Sequence, residues 1–200
     1  ECDHEIIEEN ALSKEESEYL TKYLLDRNIP ANFESSTKIY ANQFTKDTML
    51  KKVEEQCKGK SEEEKAKHGL TILTSQITVV DSLEGLSYNK VSVIDNGKTP
   101  YKTIQDDLSD RYVVIPATFA PLGKESGEIT SFHINKATGM DSVIRYFNAD
   151  IKDTIAIGDG FNDLPMFEKA HFSVAMGNAP QEIKDKADMI TTSLDDDGVY

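Results

Sequence analysis

The chain has 200 residues, a formal net charge of −14 and no Trp, and 38% of its residues are hydrophobic. This length allows one large domain or two small ones. A charge this negative disfavours anionic partners, so we expect neither nucleic acid nor a membrane surface as a partner. No stretch approaches the ~20 apolar residues that span a bilayer. We also find no pattern of a signal peptide and expect a soluble protein.

The two cysteines, Cys2 and Cys57, lie far apart in the sequence and have no metal-site spacing. A disulfide framework would need more cysteines at regular spacings. Free thiols are typical of reducing compartments, so we expect a cytoplasmic protein.

The N-terminal part of the chain is predicted to be a separate α/β domain, residues 1–122. Ser13 followed by Glu16 is a capping-box pattern, which predicts the start of a helix. Its inward face would carry Tyr19, Leu20, Tyr23 and Leu24. The charge-dense residues 58–68 are predicted to form a solvated loop or helix end. Further predicted elements are strand 37–41, helix 45–58 with Met49, Leu50 and Val53 inward, strands 77–80 and 90–94, helix 99–110 and strand 112–115.

A second domain, residues 123–200, is predicted to follow a connector rich in Pro and Gly. Its predicted elements alternate: strand 128–132, helix 137–147, strand 154–157, helix 164–170, strand 172–175, helix 180–187 and strand 188–191. Strands that alternate with short helices are typical of parallel βαβ units. The predicted fold class is therefore α/β, with a separate α/β domain attached to part of a Rossmann-like parallel-sheet core.

The most informative segment is residues 158–163, Gly-Asp-Gly-Phe-Asn-Asp, which follows the apolar residues 154–157. In open α/β sheets, ligands bind at the carboxyl ends of the strands. Carboxylates without nearby His or Cys favour a hard cation such as Mg²⁺. We therefore predict that Asp159 and Asp163 bind Mg²⁺ or orient its waters. Asn162, at the start of the next helix, could donate a hydrogen bond to a phosphate oxygen.

Lys136 precedes the predicted helix 137–147 and lies 23 residues before Asp159. Alone it would be an ordinary surface lysine. Next to an acidic segment, its ammonium could offset the carboxylates and hold a transferring phosphoryl group. We therefore assign it a catalytic and phosphate-binding role.

Three segments together resemble the Cof-type phosphatases of the haloacid dehalogenase-like superfamily. They are residues 135–140 (Asn-Lys-Ala-Thr-Gly-Met), 153–163 and 174–179 (Val-Ala-Met-Gly-Asn-Ala). The resemblance covers residues 128–200 closely, and residues 1–122 resemble the family's α/β cap domain. It implies a Mg²⁺-dependent phosphatase that acts on small phosphorylated metabolites such as sugar phosphates. It also assigns Lys136 as the lysine of the family's third motif, Asp159 as metal ligand, Asn162 as phosphate contact and Asp163 as support for the metal shell.

The sequence departs from this family pattern at the nucleophile. The resemblance implies an early strand ending in Asp-x-Asp, whose first Asp forms an aspartyl phosphate, and no such strand is found here. Residues 195–197, Asp-Asp-Asp, follow the metal motif instead of preceding it, and we interpret them as an acidic loop. We expect the nucleophile to lie outside these 200 residues, and this chain alone to be inactive.

Two alternatives remain open from the sequence. The chain could be a non-catalytic fragment that binds metal or phosphate without turnover. It could also be a fragment of a P-type transport ATPase, because those pumps carry a similar Gly-Asp-Gly-x-Asn-Asp segment.

Overall fold

The structure, a computed structural model, describes residues 8–199 of the chain. These residues divide into two compact units. The first unit is Asn10–Phe132, and the second consists of residues 133–199 together with residues 8 and 9. Cys2 lies outside the described residues, whereas Cys57 is buried and free.

The first unit contains a six-stranded mixed sheet and five helices. In chain order its elements are α1 (Lys14–Asp26), β1 (Ala31–Glu34), β2 (Ile39–Ala41), α2 (Gln43–Gln56), α3 (Glu62–Lys67), α4 (Gly69–Gln76), β3 (Ile77–Val79), β4 (Lys90–Val93), α5 (Tyr101–Leu108), β5 (Tyr112–Pro116) and β6 (Gly127–Ser131). The strand order is β3-β2-β1-β4-β6-β5. Only β2 and β3 pair in parallel, and the other neighbours are antiparallel.

The predicted domain boundary at residues 122 and 123 differs from the division in the structure. Strand β6 pairs with both β4 and β5, so residues 123–132 belong to the first unit. A strand-like pattern does not reveal which sheet the strand will join, because pairing between distant strands depends on tertiary contacts.

The capping box predicted for α1 is confirmed. The Glu16 amide donates to Ser13 Oγ at 3.2 Å, and the Ser13 amide donates to Glu16 Oε2 at 2.8 Å. Both bonds satisfy amides that the first turn of a helix leaves unpaired. The same pattern at Ser61 and Glu64 starts α3, inside the segment predicted to be a solvated loop or helix end.

The apolar face of the six-stranded sheet forms one core of the first unit. The register places Phe33 opposite Val91 and Val91 opposite Ile129, and all three side chains are buried. The Tyr88 ring contacts Phe33 edge-to-face, with centroids 5.1 Å apart. A second cluster around Met49 joins α2 to α4 and β3. Leu50, predicted to point inward, is instead 45% exposed, because α2 packs through the neighbouring face that carries Met49.

The second unit is built on three parallel strands, which confirms the predicted α/β class and parallel pairing. Its elements are α6 (Lys136–Phe147), β7 (Ile155–Gly158), α7 (Leu164–Lys169), β8 (Phe172–Ala175), α8 (Gln181–Lys184) and β9 (Met189–Ile190). The strand order is β7-β8-β9, so β7 is an edge strand among the described residues. Its core is a small cluster around Ala156, Phe167 and Ile183.

Much apolar surface of the second unit is uncovered. Ile155 in β7 is 66% exposed, and α6 has no buried residue, so Val143 and Phe147 of its predicted apolar face are exposed. Exposed apolar surface on a sheet edge and a neighbouring helix is typical of an interface with another segment or partner.

Helices α6 and α7 are joined by an ion pair in which Lys169 Nζ lies 2.6 Å from Asp141 Oδ1. Within residues 8–199, no helix combines the length and hydropathy that a membrane crossing requires.

Candidate active site

The candidate site lies at the carboxyl end of β7. The strand ends at Gly158, and a single 3₁₀ turn, Phe161–Asp163, leads into α7. Because β7 and β8 are parallel, their carboxyl ends share one edge of the sheet, with Gly158 paired to Ala175. Polar side chains that follow either strand therefore converge at this edge.

Asp163 is the buried centre of the site, with a side chain only 3% exposed. Its Oδ2 accepts hydrogen bonds from the backbone amides of Asp159 and Gly160, each at 2.9 Å. Its Oδ1 accepts from Lys136 Nζ. Burial alone would raise the pKa of this carboxyl, but Lys136 and the two amides outweigh it and hold the pKa below its usual range. Asp163 is therefore ionised at neutral pH and fixes the loop around itself.

The two glycines of the segment are explained by close approaches. A Cβ on Gly158 would overlap both Cγ and Oδ2 of Asp163. A Cβ on Gly160 would lie 2.7 Å from Oδ1 of Asn162. Only glycine leaves room for these side chains to fold back over the strand end.

Lys136 is the first residue of α6, and its position is fixed by the helix cap. The Thr138 amide donates to Asn135 Oδ1 at 3.0 Å, and the Asn135 amide donates to Thr138 Oγ1 at 3.1 Å. The Lys136 side chain pairs with Asp163 and remains 48% exposed. The ammonium is thus anchored on one side and accessible on the other, which a group that holds a phosphoryl oxygen requires.

Asp159 points outward and has unused hydrogen-bonding capacity. Its Oδ2 accepts a hydrogen bond from Asn178 Nδ2 at 2.8 Å. Among the described residues, no donor reaches its Oδ1. An exposed carboxylate oriented by one bond suits a metal ligand better than the fully engaged Asp163 does.

Asn178 is a site residue to which the sequence analysis gave no role. It follows β8 on the shared edge, and its Oδ1 also accepts from the Leu194 amide at 3.1 Å. It therefore ties Asp159 to the segment after β9. The signal was present in the sequence, because a polar residue just past a strand parallel to β7 must reach the same edge.

Asn162 lies in the 3₁₀ turn and is half-buried. Its side chain lies against Gly160. The three acidic residues 195–197 lie in and just after another 3₁₀ turn, Leu194–Asp196, and are exposed on the surface.

The donor set fits a Mg²⁺ site only in part. Within residues 8–199, no group of three or more His, Cys, Asp or Glu side chains could hold a metal ion. Mg²⁺ often binds one or two protein carboxylates and takes its other ligands from water and substrate phosphate. Asp159 fits such a ligand, while Asp163 can act through Lys136 and the loop.

Comparison with known proteins gives a match along the whole chain. The family model of the haloacid dehalogenase-like hydrolases matches residues 1–200. Among curated relatives, a phosphoglycolate phosphatase of Nitrosopumilus maritimus is 41% identical over 71 residues, 36% of this chain and 31% of that protein. The 5-amino-6-(5-phospho-D-ribitylamino)uracil phosphatase YcsE of Bacillus subtilis is 38% identical over 72 residues, 36% of this chain and 29% of that protein. Matches to the curated relatives span only 23% to 33% of their lengths.

Solved structures share the fold over almost the entire chain. A haloacid dehalogenase-like hydrolase from B. subtilis superimposes with a TM-score of 0.71 and 19% identity, covering 95% of this chain and 70% of that one. A sugar phosphatase of subclass IIB superimposes with a TM-score of 0.68 and 20% identity, covering 98% of this chain and 67% of that one.

Proposed function

Because this chain belongs to the haloacid dehalogenase-like hydrolase family, we propose that it forms part of a Mg²⁺-dependent phosphatase of small phosphorylated metabolites, such as sugar phosphates. The observation that carries the proposal is the hydrogen-bonded cluster of side chains at the carboxyl end of β7. There Lys136, the buried Asp163 and the outward Asp159 are held together by hydrogen bonds and short backbone turns. Two proteins that this chain resembles, the sugar phosphatase and the 5-amino-6-(5-phospho-D-ribitylamino)uracil phosphatase, support substrates of the sugar-phosphate type.

Each residue has a distinct role in this proposal. Lys136 binds the phosphoryl oxygens and offsets the negative charge that develops on them. Asn162 donates a hydrogen bond to a phosphate oxygen. Asp159 is the metal ligand, and Asp163 positions Lys136 and the loop that carries Asp159. Bound Mg²⁺ would supply charge neutralisation and orientation of the phosphoryl group.

We assign the nucleophile, an aspartate that forms an aspartyl phosphate, to a strand outside these 200 residues. The exposed Ile155 on edge strand β7 and the uncovered face of α6 suit an additional strand and helix. The chain covers only 67% of the sugar phosphatase structure, which leaves room for such a segment in the whole protein. The 200-residue chain alone is then inactive.

The first unit acts in this proposal as the cap domain, which excludes water and selects the substrate. A reducing cytoplasm is the proposed location, because Cys57 is a free buried thiol and thiols persist under reducing conditions.

The direct test is hydrolysis of p-nitrophenyl phosphate by the full-length protein, with and without Mg²⁺. We expect Asp159→Asn and Lys136→Met each to lower kcat by about a hundredfold or more. Asp153→Asn is the matched control, because Asp153 precedes β7 at the opposite end of the strand and should leave kcat unchanged. Undiminished turnover in Asp159→Asn, or full activity in excess chelator, would contradict the proposal.

The non-catalytic alternative is favoured for the 200-residue chain alone, since its described residues lack a cluster of three metal-binding side chains. Calorimetry with Mg²⁺ should detect weak binding at best. Release of inorganic phosphate from ATP and from a sugar phosphate such as glucose 6-phosphate tests the transport-ATPase alternative, and preference for ATP would support it.

A further inference from the structure

The first unit contains an open cavity, lined by both apolar and charged side chains, to which the function proposed above assigns no role. It opens on the face of the six-stranded sheet opposite Phe33, Val91 and Ile129, and its volume is about 280 Å³. The register brings Glu34 opposite Lys90 and Ser92 opposite Glu128. We call this space the sheet cavity.

Charged side chains at the floor of the sheet cavity form a connected network. Lys90 Nζ lies 3.3 Å from Glu34 Oε2 and 3.4 Å from Glu128 Oε2. Thr118 donates to Glu128 Oε1 through its amide at 3.0 Å and its hydroxyl at 2.6 Å. Ser92 Oγ donates to Glu34 Oε1.

The network is charged and partly buried: the exposed side-chain fraction is 33% for Lys90, 26% for Glu34 and 9% for Glu128. Burial lowers the pKa of Lys90, but attraction to the two glutamates outweighs it and raises the pKa overall. Burial raises the pKa of Glu128, but the hydrogen bonds from Thr118 outweigh it and lower the pKa. Burying three charges is costly unless they are paired, and both ion pairs here are long for hydrogen bonds. An ammonium has three N–H donors and Lys90 has two carboxylate partners, so one donor remains for a ligand.

A buried amide next to the cavity floor lacks partners. Asn32 is fully buried directly opposite Ser92, and neither its oxygen nor its nitrogen has a hydrogen-bond partner in the described part of the chain. Buried polar groups in native proteins are nearly always satisfied, and exceptions indicate water or a missing ligand. The face of the sheet that carries Ser92 therefore has an unsatisfied amide beside the cavity.

The opposite wall of the sheet cavity is apolar. It is formed by Ile72 and Leu73 of α4 and by the Phe119 ring. A Cβ on Gly69 would lie 3.1 Å from the Phe119 ring, so this glycine lets the ring lie against the start of α4. A cavity lined by an aromatic ring together with carboxylates and an ammonium can contact both the apolar and the polar parts of a ligand.

We propose that the sheet cavity binds a small, uncharged polyhydroxylated molecule such as a sugar or a sugar alcohol. Its hydroxyls would accept from Lys90 and donate to those lone pairs of Glu34 and Glu128 that the bonds from Ser92, Lys90 and Thr118 leave free. Its C–H faces would pack on Phe119. Two carboxylates against one ammonium disfavour an anion, and the ammonium between them disfavours a cation. The proposal depends on the first unit alone and stands whether or not the protein hydrolyses phosphate esters.

The test is an NMR titration of the whole ¹⁵N-labelled chain with D-glucose, D-mannose, ribitol and sorbitol, and separately with sodium phosphate. We expect at least one of the four neutral compounds to give saturable shifts at the amides of Ser92, Thr118 and Phe119. Phosphate should not shift them. Saturable shifts by phosphate alone, or none by any of the four, would overturn the proposal.

Two variants separate binding from folding. Glu128→Gln keeps the shape but removes one charge, and it should weaken binding about tenfold or more. Ile72→Trp fills the sheet cavity without touching a charge and should abolish binding. Leu50→Trp is its matched control, because Leu50 on α2 is 45% exposed, against 47% for Ile72, and does not line the cavity. Unchanged affinity in a folded Ile72→Trp variant would show that the ligand binds elsewhere and overturn the proposal.

Discussion

In the first unit, β6 has hydrogen-bonded strands on both sides and its Ile129 is fully buried. In the second unit, β7 has a described neighbour only on the β8 side, and its Ile155 is 66% exposed. The two sheets therefore differ in how much of the free energy of folding each can obtain from its own residues. The first has internal strands with a fully buried apolar side chain, whereas the second carries the candidate active site on an edge strand with an exposed one.

The largest expected effect comes from removing the same side chain in each sheet. Ile129→Ala should lower the free energy of unfolding of the first unit by about 2–5 kcal/mol, because it leaves a cavity in a closed core. Ile155→Ala should change that of the second unit by no more than about 0.5 kcal/mol. Chemical denaturation followed by unit-specific NMR signals measures both. Equal losses would mean that β7 is covered in solution.

A second comparison uses two glycines of the second unit. Gly158→Ala should destabilise this unit by about 1–3 kcal/mol, because the new methyl group would overlap the Asp163 carboxylate. Gly139 in α6 has no atom within 4 Å of the position that a Cβ would take, so Gly139→Ala should stabilise by about 0.5–1 kcal/mol. Thermal unfolding of the two variants should shift in opposite directions. A shift in the same direction would contradict the tight packing at Gly158.

Acid should weaken each unit in part through a buried carboxylate whose pKa is lowered, Glu128 in the first unit and Asp163 in the second. The pKa values of Asp163 and Glu128 are lowered in the folded protein, so their contributions are present above their ordinary pKa values, about 3.9 and 4.3. Each contribution is lost as pH falls through the folded-state pKa. Asp163→Asn should flatten the acid dependence of the second unit only, and Glu128→Gln that of the first only. Amide exchange between pH 7 and pH 3 can resolve the two units, and an equal response of both units to either substitution would contradict the prediction.

The smallest expected effects concern exposed ion pairs. Lys169→Ala in the second unit and Lys102→Ala in the first should each cost less than about 1 kcal/mol, because such pairs are solvated and screened. High salt should remove most of the difference from the unchanged protein. A larger, salt-resistant loss at Lys169 would show that its bond to Asp141 is more than a surface contact.

The local elements were largely predictable from the sequence, since caps and apolar periodicity fix them within a few residues. The predicted helix 137–147 and strand 154–157 match α6 and β7 to within one residue. Strand β1 was missed because it is only four residues long and begins five residues after the end of α1, too short for a clear alternation. Residues 58–68, predicted as a solvated loop or helix end, contain α3, which has a capping box and no buried residue. Helix α4 follows and was not predicted, because its stability depends on the tertiary packing of Leu70.

The candidate site shows a similar limit. The identities of Lys136, Asp159, Asn162 and Asp163 followed from spacing and resemblance. Their separate tasks did not, because they depend on which oxygen atoms are already engaged. Asp163 looks like a ligand in the sequence, yet both of its oxygens accept hydrogen bonds within the chain. Asn178 acquires its role only when β8 comes to lie beside β7.

Helix α7 is tied to α6 at both of its ends, by Asp163 just before its first turn and by Lys169 at its last residue. The buried contact of Asp163 with Lys136 is the stronger of the two, so the position of Lys136 relative to α7 should survive the loss of the exposed Lys169 pair. If the open edge of the sheet fluctuates, Lys136 and the loop that carries Asp159 should then move together, because both are bonded to Asp163. The spacing of Lys136, Asp163 and the Asp159 loop at the end of β7 would therefore be kept while neighbouring segments move.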